Sequence, residues 1–448
     1  MSSHKTTPSS SSHPSSTGQS STGQSSSSRP SGARTSSSKT SKSSGSKTST
    51  AKRITRGLAI LIPSSDKEVK KRLRVVSSPK MGSMSPNTSA AKFDCYPPYP
   101  LHASVKDKLD PAYVAFYNKH VVNKQQVHLQ PVAASRTSGV LIPGGGPQLS
   151  VGRVEDIVVK RRETKGPDVR CRVFIPEGEP PVEGWPLARQ GWPLMVYYHG
   201  GGWVLGNLDT ENTVCSHLCA RSRCVVVTVD YRLAPESPYP TAVHDSWEAL
   251  TYMLTTGIKR FNLNPTLIAV GGSSAGGNLA AVMTHKLLTY NSEHPESPLP
   301  FFKAQLLIVP VTDNTASVWN NDSWRQYEFT PALPAAKMEW YRNHYLPDEK
   351  RRGEPEASPL FYTDNGGGVK ERWRRLPRAL VVVGELDVLR DEGVAYAQRL
   401  SKNGVDVQFK VMKGMPHPFL AMDGVLKQGR DTISYMVQML NEVFAYNN

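Results

Sequence analysis

Gly272-Ser273-Ser274-Ala275-Gly276 sets a serine between glycines, where the apolar run LIAVGG (residues 267–272) meets a helical pattern beginning AGGNLAAVM. A serine in that position can serve as a nucleophile. The strand-to-helix turn exposes its hydroxyl, and the flanking glycines let neighbouring backbone come close. The following helix start turns free amides and a positive dipole end toward the reacting oxygen. His199-Gly200-Gly201-Gly202-Trp203 is the second cluster, and it directly follows the run LMVYY. A flexible loop would explain three glycines, but flexible loops seldom follow a core strand with His before and Trp after. The chemical reading is an oxyanion loop. The amides of Gly200, Gly201, Gly202 and Ala275 would face a carbonyl oxygen as it gains charge, and each such donor is typically worth about 2.7–4 kcal/mol.

A serine nucleophile needs a base and an acid, and in this arrangement the chain order is Ser, acid, His. Four histidines follow Ser274: His285, His294, His344 and His417. His417, in KGMPHPF, alone lies beyond the last two strand-like runs. The acid belongs just past a strand end. Asp387, which follows ALVVVGEL, is the preferred residue; Asp313 is the main competitor, and Glu385, Asp391 and Glu392 fit less well. Such an acid holds the imidazole in the tautomer that accepts the serine proton. Trp203 is expected as a wall of an apolar substrate pocket. This chemistry requires no metal and no organic cofactor.

Those residues need a rigid frame, and the hydrophobic pattern supplies one. Strand-like runs fall at 154–160, 168–175, 193–198, 224–229, 266–271, 304–309, 379–384 and 406–412. Several are apolar throughout, as strands covered on both faces are. Helical stretches, including 209–222, 241–256 and 275–290, lie between them. The alternation predicts an α/β fold: a mostly parallel eight-stranded sheet with helices on both faces. In such sheets, sites gather at the C-terminal strand ends, where the candidate residues fall.

The formal charge of +16 would suit a nucleic-acid binder, but its distribution argues otherwise. Residues 1–92 carry a net +14 and residues 93–448 only +2. Residues 1–50 contain 23 serines and almost nothing to bury, so 1–92 is expected to be a disordered basic tail. The hydrolytic domain is expected from Phe93 to the end. The tail shares its serine-rich, acid-poor composition with mitochondrial transit peptides, yet its first 50 residues lack the large apolar side chains of a presequence. The basic and apolar stretch 52–63 is too short to span a bilayer, though it could touch a membrane surface. Ser78 and Ser85, each before a proline, are possible phosphorylation sites in a basic setting. Five scattered cysteines do not form a disulfide framework. Cys215, Cys219 and Cys224 read as buried thiols rather than zinc ligands. A cytoplasmic protein acting on a small-molecule ester, with no nucleic-acid partner and no membrane span, is the expectation.

Together, HGGGW, Tyr231-Arg232-Leu233-Ala234-Pro235-Glu236, the serine elbow, DVLRDEG and the terminal His417 resemble the hormone-sensitive lipase family, from about residue 154 onward. Arylacetamide deacetylase, plant carboxylesterases and bacterial esterases belong to it. The resemblance implies an α/β-hydrolase sheet under a helical cap, drawn from residues 93–150 and from an insertion near 312–350. By position it makes Ser274 the nucleophile, Asp387 the acid and His417 the base, with Gly200–Gly202 and Ala275 as the oxyanion hole. The sequence departs from the family at Ser273, where Asp or Thr is frequent, and at Val388, where Pro is common. A carboxylesterase acting on small to medium acyl esters is the implied function. The alternatives are an amide-hydrolysing member, or a ligand-binding one like the plant gibberellin receptors, which lack a working triad.

Overall fold

The apolar runs form the inner strands of one eight-stranded sheet. The computed structural model describes residues 97–137, 143–180, 191–363 and 369–445. The serine-rich tail, the stretch 52–63, Ser78, Ser85 and Cys95 lie outside the described residues. In chain order the strands are β1 (Arg153–Val159), β2 (Val169–Ile175), β3 (Trp192–Tyr198), β4 (Val225–Asp230), β5 (Leu263–Ser273), β6 (Ala304–Ile308), β7 (Arg378–Gly384) and β8 (Val407–Met412). Across the sheet they run β1-β2-β4-β3-β5-β6-β7-β8. The β1–β2 and β2–β4 pairings are antiparallel and the other five are parallel. Every residue of β3 and of β6 is buried, whereas edge strands β1 and β8 mix exposed, half-buried and buried positions. That difference follows from position, because only inner strands are covered on both faces.

β5 is longer than its apolar run suggests. Asn262 to Pro265 look like a turn, but Leu263 pairs with Trp192 across a bulge and extends the strand. Helices Thr241–Leu254, Ala275–Glu293 and Arg390–Lys402 cover one face of the sheet; Asn212–Ser222 and Lys427–Val443 cover the other. The last helix buries Ile433, Met436, Val437 and Leu440, a stripe at helical spacing that packs it onto Asn212–Ser222. Cys215, Cys219 and Cys224 are buried, and burial pushes their thiols up. Among the described residues no cluster of His, Cys, Asp or Glu could hold a metal ion. No described helix is long and apolar enough to cross a membrane.

Two further stretches lie above the C-terminal strand ends. The first carries the helix Pro111–His120, the short 3-10 turn Val127–Leu129 and the helix Val132–Thr137. The second carries the helices Asp322–Gln326 and Ala335–Tyr345. Arg136 fastens the first stretch to the loops that follow β3 and β4. Its guanidinium donates to the carbonyls of Val204 (3.0 Å) and Ala234 (2.7 Å), and grips both oxygens of Glu236 at 2.9 Å.

Candidate active site

The elbow is built by β5 and the helix that follows it. Ser274 takes φ 55° and ψ −117°, a conformation an L-residue adopts only when its surroundings enforce it. Three groups do so. The Ser274 amide donates to Ile308 O at 2.8 Å, and its carbonyl accepts from Asn278 N at 3.0 Å. The Asn278 side-chain amide then ties Val311 and Ala357 to the helix start, at 2.9 and 3.0 Å. Gly276 cannot be larger, since a Cβ there would meet Tyr198 O at 1.9 Å.

His417, on the loop after β8, reaches Ser274 from one side. Its Nε2 lies 2.8 Å from Ser274 Oγ, and its Nδ1 lies 2.7 Å from Asp387 Oδ2. A carboxylate only accepts, so Nδ1 carries the proton and Nε2 is the acceptor for the serine hydroxyl. Asp387 is fully buried, and its Oδ1 accepts from Leu389 N at 3.0 Å. Its loop is fixed from above: Thr330 Oγ1 donates to Leu386 O at 2.5 Å and Ser323 Oγ to Val388 O at 2.6 Å. It is also tied to the histidine loop, through Leu386 N to Met415 O at 3.0 Å. Val388, in place of proline, is buried in this arrangement.

The competing acids are occupied elsewhere. Asp313 accepts from the Thr315 amide and hydroxyl, and Glu385 from Lys413 and Gly414. Asp391 pairs with Arg390 and Ser323 N. Glu392 is buried, which pushes its carboxyl well up, and it accepts from Thr312, Asp313 and Trp324.

Gly200, Gly201 and Gly202 line the same cavity as Ser274 and His417. They are not equivalent. Gly200 packs against the elbow, where a Cβ would lie 2.8 Å from Ser273 Oγ. Gly201 and Gly202 have φ of 120° and 61°, left-handed backbone that suits glycine. His199 shapes the loop from behind. Its ring nitrogen Nδ1 donates to Gly200 O at 2.7 Å, its ring stacks on Tyr231 at 4.3 Å, and burial pulls it down to about 4, so it stays neutral.

Trp203 is not where it was expected. It is fully buried behind the loop, stacked on Tyr345 at 4.3 Å, and does not line the cavity. Tyr341 takes that place: its ring packs so closely on Gly202 that a Cβ there would lie 2.4 Å away. The cavity encloses about 430 Å³. Tyr113, Phe116, Leu333, Met338, Tyr341 and Leu420 give it a largely apolar lining.

Glu211 was missed by the sequence analysis. The expected helix from residue 209 begins only at Asn212, and Glu211, at its N-cap position, makes no side-chain cap. Instead its Oε1 accepts from Ser273 Oγ at 2.5 Å, beside Ser274. Burial raises its carboxyl to about 7, against the opposing effect of the Ser273 hydrogen bond. The one signal in the sequence was Ser273 itself: a polar side chain inside a buried elbow needs a partner.

Comparison with known proteins agrees with this architecture. Residues 195–421 match a family described as alpha/beta hydrolase fold. An AB hydrolase superfamily protein of Schizosaccharomyces pombe is 48% identical over 335 residues, which cover 74% of this chain and 93% of that protein. The carboxylic ester hydrolase LipN of Mycobacterium tuberculosis is 36% identical, over 59% of this chain and 71% of its own. Among solved structures, an α/β-hydrolase enzyme from the metagenome of Lake Arreo has a TM-score of 0.64 at 28% identity, covering 75% of this chain and 99% of that one. A Pyrobaculum calidifontis esterase has a TM-score of 0.56 at 34% identity, covering 66% and 86%. The chain belongs to the hormone-sensitive-lipase-like α/β-hydrolase family. It is an enzyme of the carboxylesterase- and lipase-like class.

Proposed function

We propose that this protein hydrolyses small to medium acyl esters through a Ser274–His417–Asp387 triad and an acyl-enzyme. The observation that carries the reading is the unbroken chain of hydrogen bonds from Asp387 Oδ2 through His417 to Ser274 Oγ, at 2.7 and 2.8 Å. Ser274 Oγ attacks the ester carbonyl while its proton passes to His417 Nε2. The oxyanion is held by backbone amides of the Gly200–Gly202 loop and of Ala275. Collapse breaks the bond to the leaving oxygen, which takes the proton from His417 and departs as the alcohol. Water then gives a proton to the same nitrogen and attacks the acyl-enzyme, and the acid is released with Ser274 restored. Two stretches, within residues 93–150 and 312–350, form the cap. The enclosed volume, about 430 Å³ beneath them, suits a modest acyl chain. An intact triad also distinguishes the chain from a ligand-binding member of the fold.

The test is hydrolysis of a p-nitrophenyl ester series from acetate to palmitate. Ser274→Ala should lower kcat by about 10⁴–10⁶-fold. The reading fails if the variant and the wild type are alike, and the acyl range fails if palmitate is the preferred ester.

A further inference from the structure

Lys337 is out of place in an apolar cavity. It stands in the first turn of the helix Ala335–Tyr345 and lines the cavity that holds Ser274 and His417. Its neighbours in the wall are Leu333, Met338 and Tyr341. The ammonium donates to Ala332 O at 2.8 Å, and it lies 6.0 Å from the Tyr341 ring centroid. Among the described residues no carboxylate lies within ion-pairing distance of it. An ammonium has three donors, and one carbonyl satisfies only one. A partly buried cation without a counter-ion is costly, and an anion delivered by a ligand would offset that cost.

We infer that Lys337 is the anchor of an anion subsite, and that the preferred substrates are esters bearing a second, ionised carboxylate on the acyl or the alcohol side. This rests on the hydrolytic reading above. Its position suits the role, because Lys337 hangs from the roof while Ser274 lies in the floor. A substrate's ester and its carboxylate can therefore be held at opposite ends of one cavity.

The surrounding charges are few. Tyr341 shares its helix, and His128 on the facing 3-10 turn is itself lowered by burial and by Lys337. Tyr113 and Tyr117 on Pro111–His120 line the cavity, and burial keeps their phenols neutral. Lys124 adds a second positive charge to the lining. Glu211 and His417 are the remaining titratable groups in it, and both stand beside the nucleophile. Burial lowers Lys337 to about 8, so its charge is present at neutral pH and is lost as pH rises through that value.

The experiment compares kcat/KM for matched pairs. Mono-p-nitrophenyl glutarate against p-nitrophenyl pentanoate reads an acyl-side carboxylate. p-Acetoxybenzoate against its methyl ester reads an alcohol-side one. In Lys337→Met the anionic-to-neutral ratio should fall about 10-fold or more in one pair, mainly through KM, as for loss of a charge-assisted hydrogen bond. Lys337→Arg should retain that ratio. In the wild type it should decline above pH 8, and in the arginine variant it should not. Lys337→Gln serves if the methionine variant misfolds. Unchanged ratios in both pairs would overturn the inference while leaving ester hydrolysis standing. Wild-type rates no higher than those of Ser274→Ala on all four esters would remove the hydrolytic reading, and this inference with it.

Discussion

The floor and the roof of the cavity are built on different principles. Strand ends and short polar contacts make the floor, where Ser274, Asp387 and His417 are each held by at least one hydrogen bond to a neighbouring element. The roof consists of short helices whose aromatic and aliphatic side chains meet over the floor, tied down at its margins by Arg136, Ser323 and Thr330. Chemistry depends on geometry set to fractions of an ångström, which a buried sheet can maintain. Substrate choice depends on shape and charge, which the cavity-facing side chains of short helices can vary while the strand ends stay in place.

The sharpest way to break this contrast is at the acid. Asp387→Asn keeps the shape of the loop but removes the acceptor that selects the histidine tautomer, and kcat should fall about 10⁴-fold. If that variant retains its rate and Asp391→Asn loses it, the floor is organised around a different carboxylate.

Glu211 tests the floor by its stability. Its carboxyl is raised to about 7, so the folded protein holds a proton that the unfolded chain releases near pH 4.5. Stability therefore falls as pH rises from about 4.5 to about 7, by about 3 kcal/mol from this group, and changes little beyond. Glu211→Gln should lack that slope. Denaturant unfolding of both proteins across this range measures the difference, and parallel curves would mean that Glu211 does not hold the proton.

The smallest effect belongs to the roof. Arg136→Ala removes two bonds to backbone carbonyls and a pairing with Glu236 that is largely solvent-exposed. About 1 kcal/mol of stability should be lost, with KM rising a few-fold and kcat nearly unchanged. A kcat loss as large as the KM rise would show that roof and floor are coupled.

Much of the floor was legible in the residues. Glycines beside Ser274 and the triple glycine after β3 mark backbone that larger side chains would obstruct, and chain order singled out His417. The eight expected runs fall on the eight strands within a few residues, most clearly the inner ones, because strands covered on both faces have no polar side to disguise them. Asp387 was harder, since five carboxylates follow β6 at plausible spacings and only their hydrogen bonds separate them. Trp203 and Gly200 were assigned to the cavity by their neighbours in sequence. Gly200 does line it, whereas Trp203 is packed behind the loop.

What the sequence determined by itself was the family, the sheet and the order of the reacting groups. These depend on local pattern: hydrophobic period, glycine at crowded turns, and a nucleophile at a strand end. The tertiary structure alone decided which carboxylate meets His417, that Glu211 stands beside the elbow, that Tyr341 replaces Trp203 as the wall, and that Lys337 looks into the cavity. Those are pairings between residues distant in the chain. Nothing in local sequence encodes them, because they exist only where packing brings separate elements within hydrogen-bonding or van der Waals distance.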